Sequence, residues 1–533
     1  MEDFTVPPLA DAGTYYIGCI IDATDVIPEL NEDNNRTTPD HTAQFIVKDI
    51  NDYSPGAFKF VNSWGTSGTW ENIQDGHYWV TYRTMKQQEM MITYYYNDFS
   101  SVYEPRVVAV FKLSHSERDN CRVILGLGDP GAPYIKKELQ SRLSDGTLIS
   151  GPEPFPPNNI VVDISEFAIA INDYNLFLAV ENTGGTGGKF DNFSVEFYSD
   201  YDSAAFKTIP GGTGSFPGGV TTTVTANTKG SLTYTDLQSI MPLPRASIDG
   251  ISFIEEKPAE AELALDMDRG GVYVKGKNYN KIMYGRFGTG YQPPTAEQWR
   301  NMKKLSGVET AIYRGGGLPD VVDHSVTQYF PPIGNQGSEG SCTCFSLGYY
   351  IQTFTEAKEH GWNLTGTTWD DSVYPGAPAS NQDLIFSPDF IYHQINSGVD
   401  NGSNRSQAAS LIMGGATWAE MPYDTADSVS WPSEAAFREA GRYRGREVGN
   451  YYWDYKSNGY FIIYDDSDIN LLRSLIAAGY CVSTSINAYG LYALLDDYDV
   501  VDNDTEPKMT TNHAQTIVGY KEGASWVPTD PDS

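Results

Sequence analysis

The stretch NQGSEGSCTCFS, residues 335 to 346, brings two of the chain's five cysteines within one residue of each other, behind a run of glycine and serine. Gly337, Ser338, Gly340 and Ser341 read as a tight loop, and Leu347, Tyr350, Ile351 and Phe354 beyond it follow the spacing of a helix. Cys342 is therefore expected at or near a helix N-terminus, where first-turn amides and the macrodipole favour an anion and raise the thiolate fraction that attacks electrophiles. Cys344, about 200° further round, faces another side and reads as a small buried hydrophobe. By composition alone two structural thiols are the commoner outcome. A zinc site is only half formed, since no second Cys or His cluster stands at ligand spacing. A thiolate nucleophile also needs an imidazole nearby. Among the seven histidines, His513 in TTNHAQTIVGY is the candidate, where a polar turn feeds an alternating strand. A lone strand histidine is more often structural.

Three segments, taken together, resemble papain-like (family C1) cysteine peptidases. PPIGNQGSEGSCTCFS is similar to the active-site segment of that family, flanked by LPDVVDHS, which is like its mature start, and by SPDFIYHQIN. The resemblance makes Cys342 the nucleophile and Gln336 the oxyanion-hole glutamine. TTNHAQTIVGY resembles the segment of the catalytic histidine, with AAGYCVSTSINA as the strand before it, which points to His513. The interval from Cys342 to His513 is 171 residues, against roughly 130 to 150 in papain-like enzymes; loops such as TGTTWDDSVYPGAPASNQ and DDYDVVDNDTEP account for the excess. The acidic loop carries Asp496, Asp497, Asp499, Asp502 and Asp504; without calcium-loop spacing it reads as a solvated turn. Two positions depart from the family pattern: Glu339 replaces a cysteine that usually forms a disulfide, and Thr343 replaces the tryptophan that usually follows the nucleophile.

The third segment is out of order. No orienting asparagine follows His513, yet GAFKFVNSWGTSGTWENIQDGHYWVTY, residues 56 to 82, resembles the family's C-terminal hairpin. By that resemblance Asn62 accepts the Nδ1 hydrogen bond of the catalytic histidine and Trp64 shields it from water. Three arrangements fit: a permuted domain whose early hairpin docks on the C-terminal half, a slice of a tandem array, or a hairpin kept as a remnant. His41, in DHTAQFIVKD, faintly echoes the histidine segment, which suits the second and third, though a linker residue is the simpler reading.

These segments need elements to hold them. A chain this long exceeds one hydrophobic core. Residues 1–38 resemble the end of CARDB-type adhesion modules, through GTYYIGCIIDATDVIPELNEDNN. Residues 39–100 hold the hairpin segment. Short alternating runs divided by Gly- and Pro-rich turns predict an all-β sandwich or jelly roll over 101–200, with a Gly/Thr-rich β region or linker over 201–294. From 295 to 533, beginning at QPPTAEQWRNMKK, the reading is an α+β papain-like peptidase domain with a helical half and a β-rich half. A pro-segment fits within residues 200 to 318, but no motif marks it.

A net charge of −33 disfavours nucleic acid and anionic membranes as partners. Five scattered cysteines argue against a disulfide framework, and no apolar run is long enough to span a membrane. Neither a cofactor nor a metal is expected. The expectation is a secreted or surface-associated thiol peptidase acting on proteins or peptides, with β modules for a cell-surface or glycan ligand. The rival is an adhesion or carbohydrate-binding protein on a decayed peptidase fold.

Overall fold

Strands from both ends of the chain share one nine-stranded sheet. In the computed structural model, its order is Lys303–Lys304, Asn458–Ile462, Met91–Tyr95, Val482–Ile486, His513–Glu522, Gly56–Val61, His77–Thr81 and Val500–Val501, with Val321–Asp323 also paired to His513–Glu522. The structure describes residues 56–66, 75–95, 103–139, 154–240, 317–396, 400–405, 415–443, 458–488, 500–502 and 508–523, short strand pieces at 13–17, 43–47, 291–292 and 303–304, and a few single residues. The central pairing is antiparallel, Thr516 opposite Val61 and Ile517 opposite Phe60, with a register shift before Gly519 meets Lys59. At Gly519 an added Cβ would lie 2.4 Å from the Val322 carbonyl oxygen, so only glycine lets Val321–Asp323 close on this strand.

Alternation along these strands supplies two buried faces. Phe58, Phe60, Tyr78, Val80, Ile517 and Tyr520 pack with Leu471, Leu472 and Leu475 of helix Asp466–Ala477. A capping box between Asp465 and Asp468 starts that helix. Val61 and Val518 belong instead to the core formed with Phe345, Leu347, Tyr350, Ile351 and Phe354. Those residues lie on a helix whose segments Cys342–Cys344, Phe345–Gln352 and Thr353–His360 run on without a break, the middle one widened to i→i+5 bonding. Gly361, at φ +67°, ends it in the left-handed region.

Residues 107–226 form two antiparallel sheets on a common core. One orders Thr221–Ala226, Leu176–Asn182, Cys121–Asp129 and Ala132–Glu138; the other orders Lys207–Pro210, Gly188–Phe197, Val107–Ser114 and Ile160–Asp163, with Gly214–Phe216 also paired to Gly188–Phe197. The strands at 207–226 thus extend the unit expected over 101–200 into the stretch read as a Gly/Thr-rich region or linker. Val224 and Thr225 pair with Leu178 and Phe177, a long-range partnership that local composition does not reveal. Helix Glu434–Ala440 fastens this unit to the rest through Arg438, which ion-pairs Glu196 at 2.8 Å.

Gly13–Ile17 pairs with Ala43–Val47 across the boundary expected at residue 38. Residues 18–42, with Cys19, His41 and most of the adhesion-module motif, lie outside the described residues. Of the acidic loop, Asp502 is described. It is buried, accepts a 2.7 Å hydrogen bond from Thr81 and ion-pairs Arg83, so it is structural and not part of a solvated turn. Among the described residues the architecture is mixed, with helices and several sheets, the sheets predominating and none closed into a barrel.

Candidate active site

The early NSWG segment is stitched to the NQG loop by its backbone. Gln336 N–H donates to the Ser63 carbonyl at 2.8 Å, Gly65 N–H to the Gly334 carbonyl at 3.0 Å, and Trp64 bridges Asn335. The Tyr350 hydroxyl, on the long helix, donates to the Asn62 carbonyl at 2.7 Å and accepts from Gly334 N–H at 3.0 Å. One tyrosine thus fixes hairpin, loop and helix together.

This scaffold brings Asn62, Trp64 and His513 into contact. Asn62 Oδ1 accepts from Ser63 N–H at 2.7 Å, which identifies it as the amide oxygen, and lies 2.8 Å from His513 Nε2. Nε2 therefore carries the hydrogen, and the lone pair of the neutral ring sits on Nδ1. This differs from the expected Nδ1 bond: strand His513–Glu522 presents the far edge of the ring to the hairpin. Nδ1 is buried, and among the described residues no group hydrogen-bonds to it. The Trp64 indole stacks on the imidazole, centroids 4.7 Å apart, and both rings are buried.

Cys342 opens the long helix, and its Sγ accepts the Ala514 N–H at 3.4 Å, which places the thiol beside the residue that follows His513. Ser346, one turn further on, donates to the Gln515 carbonyl at 2.9 Å and locks the helix to the histidine strand. Gln336 is held at both ends of its amide. Oε1 accepts from the Ser63 hydroxyl at 2.5 Å, and Nε2 gives a hydrogen to the Glu339 carbonyl at 2.7 Å. Thr343 turns away, donating to the Ser403 carbonyl at 3.2 Å. Cys344 is buried 3.8 Å from the Ser403 hydroxyl, and burial pushes its thiol well above the ordinary range. The four described cysteines are buried free thiols.

Burial pulls the His513 imidazole down to about 3. Alone in this pocket it is neutral at pH 7. A proton on this buried ring would need a negative charge beside it. Arg405 adds a positive charge that the sequence reading missed. Its buried guanidinium donates to the Met91 and Ser483 carbonyls, both at 2.9 Å, and lies 5.1 Å from the Tyr291 ring. Among the described residues no carboxylate pairs with it; Tyr291 and Cys342 are the groups that favour its charge against desolvation. No local pattern marks such a residue.

Cys342, His513, Asn62 and Gln336 all have 0% exposure. Tyr291 forms a small apolar cluster with Cys342 and Ala514 and donates its N–H to the Asn512 carbonyl at 3.3 Å. Its strand piece Tyr291–Gln292 runs parallel to Ser403–Asn404. Tyr291, 27 residues before the expected mature start at Leu318, therefore packs against the thiol. No protein-family model matches the sequence, and a search of curated proteins returns no match.

Proposed function

We propose that the chain is a papain-like thiol peptidase whose hairpin from residues 56–82 completes the site in cis, in a closed form with Tyr291 over the nucleophile. The observation that carries the reading is the His513 Nε2 to Asn62 Oδ1 bond, which leaves Nδ1 as the base on a strand whose next amide touches Cys342 Sγ. In this reading Cys342 gives its proton to Nδ1 and its thiolate attacks the peptide carbonyl carbon. The oxyanion is held by the Cys342 N–H and the Gln336 amide. His513 then protonates the departing amine, leaving a thioester. Water, giving a proton back to Nδ1, attacks the thioester and releases the acid and the thiol. The β modules would direct a secreted or surface-bound enzyme to its substrate.

The first test is alkylation mapped by residue, combined with hydrolysis of a denatured protein substrate, before and after limited proteolysis within residues 293–317. Opening the site is expected to unmask fast iodoacetamide reaction at Cys342 well below pH 8, together with peptidase activity. A Cys342 that stays as slow as an ordinary thiol after opening favours the decayed-fold rival. Tyr291→Ala should raise the alkylation rate of uncut protein at least tenfold, without altering the other thiols, as read by mass mapping. An unchanged rate would mean that Tyr291 does not guard the thiol.

A further inference from the structure

A second group of chemically capable residues lies behind the Gln336–Cys342 loop. Glu339 projects from the loop, while Asp389 and His393 stand four residues apart on one face of helix Pro388–Ile395. Ligand atoms of the three lie within 4.8 Å of one another, and all three side chains are at least nine-tenths buried. Both Glu339 carboxylate oxygens, Asp389 Oδ1 and His393 Nε2 are buried without a hydrogen-bond partner among the described residues.

The surroundings fix which atoms face inward. His393 Nδ1 is 2.6 Å from the Ser430 carbonyl, which can only accept, so Nδ1 carries the hydrogen and Nε2 presents a lone pair. Asp389 Oδ2 accepts the Asp424 N–H at 2.8 Å, which leaves Oδ1 facing Nε2 at 3.5 Å. The Tyr423 and Ser341 hydroxyls stand beside Glu339 but are committed elsewhere: Tyr423 donates to the Gln336 carbonyl at 2.7 Å, so Ser341 supplies the hydrogen of their 2.7 Å contact. Nearby, Asp400 accepts from Gly340 N–H and from Tyr392. Among the described residues no lysine or arginine pairs with Glu339 or Asp389. Two carboxylates and an imidazole lone pair converge here in a dry pocket, where burial and their mutual repulsion push the Glu339 and Asp389 carboxyls up, so the site is relieved either by protons on the carboxyls or by a cation held between them.

We propose that Glu339, Asp389 and His393 bind one divalent transition-metal ion, zinc by preference, which cross-links the Gln336–Cys342 loop to helix Pro388–Ile395. The donor set suits that class. One imidazole nitrogen and two carboxylates match zinc, and the 3.5 Å separation is what two ligands about 2.0–2.2 Å from a tetrahedral ion subtend. Calcium prefers six to eight oxygens and has no use for the imidazole. The Ser430 carbonyl supplies the outer-sphere acceptor that metal-bound histidines need. The ion would brace a loop that also holds Gln336 through the Glu339 carbonyl. The site does not depend on the peptidase reading.

The test strips the full chain with a chelator and then titrates zinc, with bound metal measured by mass spectrometry and unfolding by calorimetry. One equivalent of zinc and a raised Tm are expected. Glu339→Gln and His393→Gln should each weaken binding at least tenfold, while Cys342→Ala, which removes the other zinc-prone thiol, leaves the stoichiometry at one. Should a variant fail to fold, the cobalt-substituted wild type decides: a tetrahedral spectrum lacking a thiolate charge-transfer band supports the site. Less than one equivalent with no change in Tm, a thiolate band, or an equivalent lost in Cys342→Ala and kept in Glu339→Gln would each overturn it.

Discussion

On the proposed peptidase reading, Cys342→Ala is expected to abolish peptide hydrolysis by the opened protein, with kcat/KM falling at least ~10⁴-fold, and His513→Ala should cost on the order of 10⁴-fold as well. The two act as one unit, so the double variant should be no worse than Cys342→Ala alone. The reason lies in the titration of the pair. Burial holds His513 down to about 3, so in the proposed mechanism its proton at working pH comes from, and is held by, Cys342. In His513→Ala the thiol loses that acceptor, and burial, which disfavours thiolate, raises its pKa. The sign is therefore fixed: alkylation of Cys342 in the opened wild type should proceed well below pH 8, whereas in His513→Ala its midpoint should rise to about 8.5 or beyond, the value of a free thiol. Identical profiles in the two proteins would show that no imidazole serves this thiol. Hydrolysis persisting in Cys342→Ala would place the nucleophile elsewhere.

What could be read in the sequence was local. Cys342 at a helix start follows from glycine and serine before a helical apolar spacing, and the helix begins at that residue. His513 heads an alternating run that forms a strand. Pairing across the chain is a different kind of information. The alternation of GAFKFV says that it is a strand, but not that Phe60 faces Ile517 more than 450 residues away. The same limit cut the two-sheet unit short, because the strands at 207–226 look weak until their neighbours are known. Atomic choices were equally out of reach: which histidine nitrogen meets Asn62 depends on the angle between strand and hairpin. Glu339, Asp389 and His393 are separated by some 50 residues and match no ligand spacing, so only folding gathers them. Arg405 carries no signal at all. A buried guanidinium that joins the Met91 and Ser483 carbonyls is constrained by space, not by its neighbours in sequence.

Asn62 is where local resemblance and long-range pairing meet, and Asn62→Ala is the sharpest test of their union. Its Oδ1 is the acceptor for His513 Nε2, so removal leaves the imidazole free to rotate and to adopt the other tautomer, with hydrogen on Nδ1 and no base facing the thiol. Misorientation of this kind costs on the order of 10²-fold, and the loss should fall on kcat, with KM nearly constant because Asn62 is not placed to touch substrate. The hairpin itself should stay docked. Its backbone bonds between Ser63 and Gln336 and between Gly65 and Gly334, with the Tyr350 bond to the Asn62 carbonyl, do not involve the side chain that is lost. The Tm should therefore fall only by the few degrees that one buried hydrogen bond represents. Combined with His513→Ala, the Asn62 substitution should add almost nothing, since an orienting group has no role once the ring is gone. A full loss on top of His513→Ala would mean that Asn62 acts by another route. Wild-type kinetics in Asn62→Ala would mean that the early hairpin completes the sheet without completing the chemistry, which is the remnant arrangement.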